Sequence, residues 1–388
     1  MERLEEFKNM AQRMLAMLGS SEEQLIPPTT QYPSWFFTDP ALFEREKKHL
    51  FGKQPLIVGL SSDVPNSGDF FTRDDLEIPT IITRDNDGKV NALLNICTHR
   101  AARLKEGFGN ARSLSCPYHA WNFGLDGTLK KVFKQDSFGD IDKCDYNLDK
   151  IPCEEKYGLI FVSFDDDSDL DIEKYLGDLS PMLDMWDFSK LNFVGEHEWI
   201  IEKNWKLSLD KLCDRYHLDS AQEGHDRDRL LDTAVEYNQL GPSGQHHIMT
   251  FPNVEMLKLK NTDENAWDEN VFDTFQVSHF IFPNVGLLMS QSSLEFLAIY
   301  PGELPDEHLL RYRSYARSDT RELSADETHD ASFDKMRKLL DRKVALKTGS
   351  AEHQSKVFED GTSHPKSDHA LNNILMGISK TLEFDLGE

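Results

Sequence analysis

The sequence predicts an α+β fold, with a small antiparallel β domain in residues 51–168 and a larger domain in residues 169–388, whose antiparallel sheet is covered by helices. Two observations favour this division. Short β-like segments separated by sharp turns fill residues 54–164, whereas helical and strand-like patterns alternate from about residue 180 onward. The acidic run DDDSDLDIEK at 165–174 marks the boundary between the two textures.

Residues 1–50 are predicted to form a helix and a connector that pack on the larger domain. Apolar residues recur at steps of three or four between Leu4 and Leu18, which is typical of an amphipathic helix, and Gly19 ends it. Residues 27–40, PPTTQYPSWFFTDP, are rich in proline and aromatic residues and indicate an extended connector.

Local patterns predict the elements of both domains. Asp87-Gly88 and Asp126-Gly127 lie between apolar runs and indicate hairpin turns, because glycine accepts a positive φ without a side-chain clash. In the larger domain, strands are predicted in FIFPNVGLLM, LEFLAIY and LLRYRSYAR, and helices in LSLDKLCDRYHL and SFDKMRKLLDRKVAL. The apolar residues of FIFPNVGLLM are predicted to lie in the core.

The composition argues against several classes of function. The 388 residues include 43 Lys and Arg against 68 Asp and Glu, a formal net charge of −25. So acidic a chain argues against nucleic acid or an anionic membrane as a partner, because both bind cationic surfaces. No apolar run reaches the roughly 18 residues of a membrane-spanning helix. The charged start MERLEEFKNM suits neither a signal nor a transit peptide, so a cytoplasmic protein is expected.

Two Cys-His pairs stand out in the small domain. Cys97-Thr-His99 and Cys116-Pro-Tyr-His119 are separated by sixteen residues, and five cysteines in all are too few for a disulfide framework. Two cysteines and two histidines can hold a structural zinc or a Rieske [2Fe–2S] cluster, in which two histidines replace two cysteines on one iron. The order Cys-His/Cys-His favours iron, because each loop then supplies one ligand to each iron.

The segments around these pairs resemble a known family. NICTHRAARL followed by SCPYHAWNFGLDGTL is similar to the cluster-binding signature of the large (α) subunits of the Rieske non-haem iron oxygenases. Ala102 and Tyr118 stand where the respiratory Rieske proteins carry the cysteines of a disulfide. The resemblance implies a [2Fe–2S] cluster held by Cys97, His99, Cys116 and His119. Fewer hydrogen bonds to sulfur would place its potential in the lower part of the Rieske range.

The family's mononuclear Fe(II) site, with two histidines and one carboxylate, has its counterpart in residues 204–228, NWKLSLDKLCDRYHLDSAQEGHDRD. There the resemblance implies His217 as an iron ligand. The family's spacing puts the second histidine at Gln222, and the nearest histidine is His225. A continuous helix would separate His217 from His225 by about 12 Å, so the chain must break between them, and Gly224 permits this. His225 is the predicted ligand, with Gln222 or a weakly binding site as alternatives.

Two acidic residues complete the implied site. Glu359-Asp360 resembles the acidic pair near the C-terminus of many relatives, and Asp360 is the predicted carboxylate ligand of the mononuclear iron. Asp214 lies three residues before His217. In the family this acid bridges the iron-bound histidine to a cluster histidine of a neighbouring subunit, here His119, and serves electron transfer. A carboxylate can accept an N–H bond from two metal-bound imidazoles.

The resemblance implies a terminal oxygenase component that takes electrons through the cluster and activates O₂ at the mononuclear iron, to hydroxylate or dihydroxylate an aromatic or related small organic substrate. NAD(P)H would supply electrons indirectly through a reductase, with or without a ferredoxin. The chain would form a homotrimer or a higher multiple, with or without a β subunit. Two alternatives stay open: a Rieske monooxygenase or N-demethylase of a small quaternary amine, and a Rieske electron-transfer protein with a degenerate iron site.

Charge near the cluster motif opposes the global balance. Residues 99–134 hold seven basic and two acidic residues, a local charge of +5, which is the pattern expected of a solvated loop or of a docking patch for an acidic ferredoxin or reductase. Elsewhere, His246 and His247 are predicted to lie on the surface. Cys144, Cys153 and Cys213 are predicted to pack as small apolar side chains.

Overall fold

The chain forms two compact units in its computed structural model. The large unit comprises residues 1–47, 176–186 and 191–388, and the small unit comprises residues 48–175 and 187–190. The structure describes residues 3–18, 30–74, 78–209, 236–290, 292–317, 362–364 and 369–383. None of the helices in these segments has the length and apolarity that a membrane crossing needs.

The predicted N-terminal helix is confirmed as α1 (Arg3–Leu18), and its apolar face docks within the large unit. Phe7 is buried and stacks on Phe272, with ring centroids 4.5 Å apart and an angle of 14° between the rings. The Trp186 ring lies 5.4 Å from the same phenylalanine. Aromatic burial of this kind stabilises the helix far more than its intrinsic propensity does.

The connector after α1 is less extended than predicted. A short strand β1 (Thr30–Tyr32) is followed by a helical turn α2 (Trp35–Thr38) and by α3 (Pro40–Glu46). The turn forms because it buries two aromatic rings, Phe36 and Phe37. Asp39 caps α3 by accepting a 2.8 Å hydrogen bond from the Leu42 backbone, and proline at the first helical position fits this start.

The small unit is built from short antiparallel strands, as predicted. They are β2 (Leu56–Leu60), β3 (Asp69–Arg73), β4 (Thr80–Arg84), β5 (Val90–Leu94), β6 (Phe108–Asn110), β7 (Leu114–Ser115), β8 (Asn122–Phe123), β9 (Leu129–Lys131), β10 (Lys150–Ile151), β11 (Cys153–Lys156) and β12 (Leu159–Val162). They form sheets of order β10-β5-β4-β3-β6, β7-β8-β9 and β11-β12-β2. Both predicted turns are confirmed, with φ of 81° at Gly88 and 84° at Gly127.

The large unit is built on a seven-stranded antiparallel sheet of order β13-β19-β18-β17-β16-β15-β14. The elements after β12 are α4 (Ile172–Leu176), α5 (Ser180–Asp184), β13 (Leu191–Ile201), β14 (Glu236–Leu240), β15 (His246–Pro252), α6 (Met256–Leu259), β16 (Phe275–Ile281), β17 (Val285–Met289), β18 (Ser293–Pro301), β19 (His308–Arg317), β20 (Thr362–His364) and α7 (His369–Thr381). Strand β20 pairs with β1. The α+β fold class is confirmed, and so are the strands predicted in β16 to β19.

Short helices of other types connect these elements. Those of the 3₁₀ type are Ser61–Asp63, Gln135–Ser137, Lys143–Tyr146, Gly177–Leu179, Phe188–Lys190, Trp205–Ser208, Glu264–Ala266 and Glu269–Thr274, and Lys47–Phe51 is a π-helix. The predicted helix at 207–218 is described only to residue 209, and the one at 332–346 lies outside the described residues.

The prediction that His246 and His247 lie on the surface is wrong. They begin β15, which has a strand on either side, and their side chains are 0% and 1% exposed. His247 stacks on Phe280 with ring centroids 4.9 Å apart. His279 on β16 accepts a 2.6 Å hydrogen bond from the Trp186 indole. Burial lowers the pKa of both His247 and His279 to about 3, so both are neutral near pH 7.

A buried ion pair ties α3 to the 3₁₀ helix of the NWK segment. Lys206 Nζ lies 2.5 Å from Glu46 Oε1, and both side chains are almost fully buried. The Trp205 indole donates a 2.7 Å hydrogen bond to the other Glu46 oxygen. The Lys206 ammonium also lies 4.9 Å from the Phe36 ring centre. Each buried charge is therefore stabilised by its partner, and the Trp205 hydrogen bond and the Phe36 ring fix the geometry of the pair.

We expect Lys206→Met to lower the free energy of unfolding of the large unit by about 3–5 kcal/mol, because it leaves the Glu46 carboxylate buried without its partner. Combining it with Glu46→Gln should recover most of this loss, since Gln is neutral and still offers an oxygen to Trp205. Denaturant unfolding of the single and double variants measures both effects.

The exposed pair Glu255–Lys258, whose side chains are 48% and 74% exposed, provides the control. Glu255→Gln should change the free energy of unfolding by less than about 1 kcal/mol. A Lys206→Met variant no less stable than Glu255→Gln would contradict the account of the buried pair.

The buried histidines predict a loss of stability in mild acid. Their pKa in the folded chain lies below the ordinary value of 6.5, so the unfolded chain binds protons first as the pH falls. We expect His247→Phe to remove about 1.4 kcal/mol of the loss between about pH 7.5 and about pH 5.5. Unfolding free energies of both proteins at these two pH values measure the difference.

Met249→Leu, a buried change on the same strand without a titrating group, is the matched control. It should shift stability equally at both pH values. If wild type and His247→Phe lose the same free energy on acidification, the neutral, buried state of His247 is refuted.

Candidate metal centre

The first loop, residues 95–105, follows β5 and carries Cys97 and His99. The Cys97 N–H donates to the Ala102 carbonyl (2.8 Å), and the Ala101 N–H donates to the Cys97 carbonyl (2.9 Å). Ala101 has a φ of 54°, which turns the chain back. The Asn95 amide closes the base, because it donates to the Lys105 carbonyl (2.8 Å) and accepts from the Lys105 N–H (3.1 Å).

The second loop, residues 116–121, joins β7 to β8 and repeats this geometry. The Cys116 N–H donates to the Trp121 carbonyl (2.8 Å), and the Ala120 N–H donates to the Cys116 carbonyl (3.0 Å). Ala120 has a φ of 56°. At the base, the Asn122 amide donates to the hydroxyls of Ser113 and Ser115, both at 2.7 Å. The two loops therefore present their cysteine and histidine in equivalent backbone frames.

The structure brings the four predicted residues together. Cys97 and Cys116 belong to the core cluster of the small unit, with side chains 1% and 4% exposed, and their thiols are in hydrogen-bond contact. The rings of His99 and His119 have centroids 4.9 Å apart. The Nδ1 atoms of both rings are buried and have no hydrogen-bond partner. The sulfurs thus lie inside, and the imidazoles lie above them at half-buried positions.

The sulfur environment suits a bound cation. Burial raises the pKa of the Cys97 thiol, and the neighbouring Cys116 thiol raises it further. The backbone N–H groups of His99 and Arg100 donate to the Cys97 sulfur and partly oppose this shift. Two thiols packed together in a core become thiolates when a metal supplies the positive charge. The residues present therefore fit a metal group held by two sulfurs and two nitrogens.

The arrangement favours a two-iron cluster over a single zinc. A structural zinc needs four ligands that converge on one ion, whereas a Rieske cluster takes two cysteines on one iron and two histidines on the other. Within the described segments, no three His, Cys, Asp or Glu side chains are grouped so as to hold one ion. Two separate pairs, one of thiols and one of imidazoles, match the two-iron alternative.

Aromatic rings surround the histidines. The Trp121 ring is nearly parallel to His99, with centroids 4.7 Å apart and an angle of 3°. Phe138 meets His99 edge-on at 5.6 Å, and Tyr118 lies 3.8 Å from His119. Trp121 is buried, whereas Phe138 and Tyr118 are 42% and 61% exposed. Trp121 was not among the site residues predicted from the sequence, although it follows His119 by two residues within the motif.

The charge around the loops is more mixed than residues 99–134 alone suggest. Arg103 pairs with Asp74, and Lys130 lies 3.8 Å from Asp126. Residues 135–145 add four acids and one lysine, so residues 99–145 hold eight basic and six acidic residues, a net charge of +2. Exposed positive charge remains beside the cluster loops at Arg100 and Lys131. Any electrostatic docking surface is therefore a narrow patch.

The residues predicted for the mononuclear iron, and the bridging acid, lie outside the described residues; they are Asp214, His217, Gln222, His225 and Asp360. Cys213 lies there too. The prediction that Cys144 packs as an apolar side chain is wrong, because it is exposed on a short 3₁₀ helix beside Asp142 and Asp145. Cys153 is partly buried, and burial raises the pKa of its thiol to about 12.

Two family models match the chain. The Rieske [2Fe–2S] domain matches residues 54–146, which lie in the small unit and include both loops. The catalytic domain of the ring hydroxylating alpha subunit matches residues 188–346.

Curated relatives match over part of their length. The chain is 32% identical over 213 residues to the biphenyl 2,3-dioxygenase subunit alpha of Rhodococcus jostii, covering 53% of this chain and 46% of that protein. It is 30% identical over 208 residues to the glycine betaine monooxygenase oxygenase subunit of Chromohalobacter salexigens, covering 53% and 45%. The aligned stretch thus spans about half the length of the curated relatives that it matches.

A solved structure shares the fold over nearly the whole chain. The quaternary ammonium Rieske monooxygenase CntA, crystallised with an inhibitor, superimposes with a TM-score of 0.75 at 20% identity, covering 90% of this chain and 95% of that one. At this identity the likeness shows the fold alone. The chain therefore combines a Rieske [2Fe–2S] domain with the catalytic domain of a ring-hydroxylating alpha subunit.

Proposed function

We propose that the chain is the terminal oxygenase component of a Rieske oxygenase system, which takes electrons through a [2Fe–2S] cluster and activates O₂ at a mononuclear Fe(II) to hydroxylate or dihydroxylate a small organic substrate. The paired loops of the small unit carry this proposal, because they join two buried thiols to two half-buried imidazoles. A ring-hydroxylating catalytic domain in the same chain supplies the second half of the argument.

Cys97 and Cys116 would hold one iron of the cluster, and His99 and His119 would hold the other. The support is the burial of both sulfurs and the unpartnered Nδ1 atoms of both rings. When bound, such a cluster supplies one-electron transfer at a potential set by its ligands. The residues of the loops bind it, exclude water from its sulfur end and leave its histidine end near the surface.

The mononuclear iron would be held by His217, His225 and Asp360, with Gln222 as the alternative to His225, and Asp214 would link the two centres. These assignments rest on the sequence motif alone. We also propose that residues 51–168 act as the cluster domain and residues 169–388 as the catalytic domain, on which residues 1–50 pack. Contacts of Phe7 and Glu46 with the large unit support the last point.

For the substrate we propose an aromatic or related ring compound, in line with the biphenyl 2,3-dioxygenase relative. A small quaternary amine is the second candidate, because the glycine betaine monooxygenase relative is almost as similar and CntA shares the fold. Products formed from a panel of arenes and quaternary amines by the reduced, iron-loaded protein separate the two.

The proposed partners are those of a multicomponent system in the cytoplasm. A reductase would deliver electrons from NAD(P)H, with or without a ferredoxin, and the chain would assemble as a homotrimer or a higher multiple, with or without a β subunit. The docking patch proposed for the donor consists of Arg100, Tyr118, Lys131, Phe133, Lys134 and Phe138. All six are exposed, and they combine positive charge with aromatic surface around the cluster loops.

Iron content tests the proposed ligands. We expect about three iron atoms per wild-type chain, two in the cluster and one mononuclear, with the electron paramagnetic resonance (EPR) spectrum of a reduced Rieske cluster. Cys97→Ser and His119→Ala should each lose that spectrum and retain about one iron. His217→Ala should retain the spectrum and about two irons. Elemental analysis and EPR of the same preparations measure this.

The exposed Cys144 offers the control, since Cys144→Ser should behave as wild type. Gln222→Ala and His225→Ala are compared for their iron content. The variant that loses the third iron identifies the residue that binds the mononuclear iron together with His217. A wild-type chain with about two irons and a Rieske spectrum would favour the electron-transfer alternative. Bound zinc without that spectrum would contradict the proposal altogether.

The docking patch predicts a salt-dependent rate of reduction. We expect Lys131→Glu with Lys134→Glu to slow reduction of the cluster by a reduced, acidic [2Fe–2S] ferredoxin about tenfold at low salt, because the change reverses two attractive charges. Stopped-flow absorbance at several salt concentrations measures the rate. The rate for wild type should fall with added salt.

Lys258→Glu with Lys260→Glu, at two exposed lysines of the large unit, is the charge-matched control and should leave the rate nearly unchanged. If this control and the double patch variant slow reduction equally, only net charge matters and the patch is refuted.

A further inference from the structure

Trp121 carries a buried polar group that the fold leaves unused. Its indole N–H, Nε1, has no hydrogen-bond partner, and the side chain is 2% exposed. Leaving such a donor unpaired is costly, and nearly all buried donors in proteins have a partner. The same two loops therefore contain three buried polar atoms without a hydrogen-bond partner, Trp121 Nε1 and the Nδ1 atoms of His99 and His119.

The three atoms point to one bound group. Apart from the hydroxyls of Ser61 and Ser62, no other side chain in the described part of the small unit has a buried polar atom without a partner. An indole nitrogen can only donate, so its partner must be an acceptor. The sulfur atoms of a cluster are acceptors that carry negative charge. Iron offers the indole N–H nothing to bind, and an imidazole that holds iron through Nδ1 keeps its proton on Nε2 and so has no free acceptor.

Trp121 lies on the second loop, whereas the His99 ring on which it stacks lies on the first loop. Its neighbours fix its position. Its carbonyl accepts the Cys116 N–H at 2.8 Å, and its ring is flanked by Tyr146 at 5.4 Å and Phe138 at 5.7 Å. The parallel contact with His99 joins the second loop to the first. A tilt of the His99 ring would therefore need the whole aromatic set to move.

We propose that Trp121 is a positioning residue for the cluster, which holds the His99 ring by stacking and donates its indole N–H to a cluster sulfur. The inference rests on the proposed function, and it names the residue that tunes the cluster. Ala102 and Tyr118 stand where the respiratory Rieske proteins carry the cysteines of a disulfide. Trp121 instead supplies one hydrogen bond to a cluster sulfur.

A hydrogen bond to sulfur raises the reduction potential, because the reduced cluster is more negative and is stabilised more by the donor. We expect Trp121→Phe, which keeps a flat ring against His99, to keep the iron content and the Rieske spectrum while the midpoint potential falls. Trp121→Leu removes both contacts, so it should lower the potential as well and also change the EPR spectrum. Potentiometric titration followed by EPR measures both properties.

Tyr146→Phe is the matched control, because it removes a polar atom from a ring beside Trp121 and should leave potential and spectrum as in wild type. Replacement of Trp121 by benzothienylalanine, which exchanges the N–H for sulfur within the same shape, covers the case in which Trp121→Phe does not fold. It should lower the potential as Trp121→Phe does.

Two results separate the failures. A wild-type Rieske spectrum with an unchanged potential in both Trp121→Phe and the benzothienylalanine variant overturns the role of Trp121 and leaves the proposed function intact. A wild-type chain without a Rieske spectrum, purified with its iron, overturns both.

Discussion

The small unit depends on one constraint: the two cluster loops are closed by the same pair of backbone hydrogen bonds. Each loop ties the backbone of its cysteine to residues four and five positions further on, and each needs a left-handed residue to do so. Alanine fills that place in both, at Ala101 and Ala120, although a left-handed alanine costs about 1 kcal/mol or more. The closure therefore holds a conformation that the residues alone do not favour, and it places both sulfurs in the core.

From this closure follows the division of the site into an inner and an outer half. The cysteines belong to the same core cluster as Leu93, Leu114 and Phe123, so the strands that carry the loops pack directly against the two cysteines. The histidines lie above them, and exposed Tyr118 and Phe138 lie around the histidines. The histidine end of the site therefore lies near the surface, whereas the sulfur end is shielded from water.

Spacing and turn chemistry were enough to predict the small unit. The pairs at Cys97 and Cys116 predicted the metal chemistry of the loops, and Gly88 and Gly127 predicted the hairpin turns, because both signals are local in sequence. The burial of His247 was not predictable in this way, since a histidine within an inner strand looks the same in sequence as one on an edge. The role proposed for Trp121 was not predictable from the sequence, because it depends on the contact between the two loops. For the mononuclear iron, only the motif around His217 and Asp360 is available.

The central claim is that one iron carries two sulfur ligands from the chain and the other carries two imidazoles. Mössbauer spectroscopy of the reduced protein, grown on isotopically enriched iron, tests it most directly. The account predicts two distinct iron sites in the cluster, a ferrous one with the parameters of nitrogen ligation and a ferric one with sulfur ligands only. Two iron sites that both show complete sulfur ligation would contradict it.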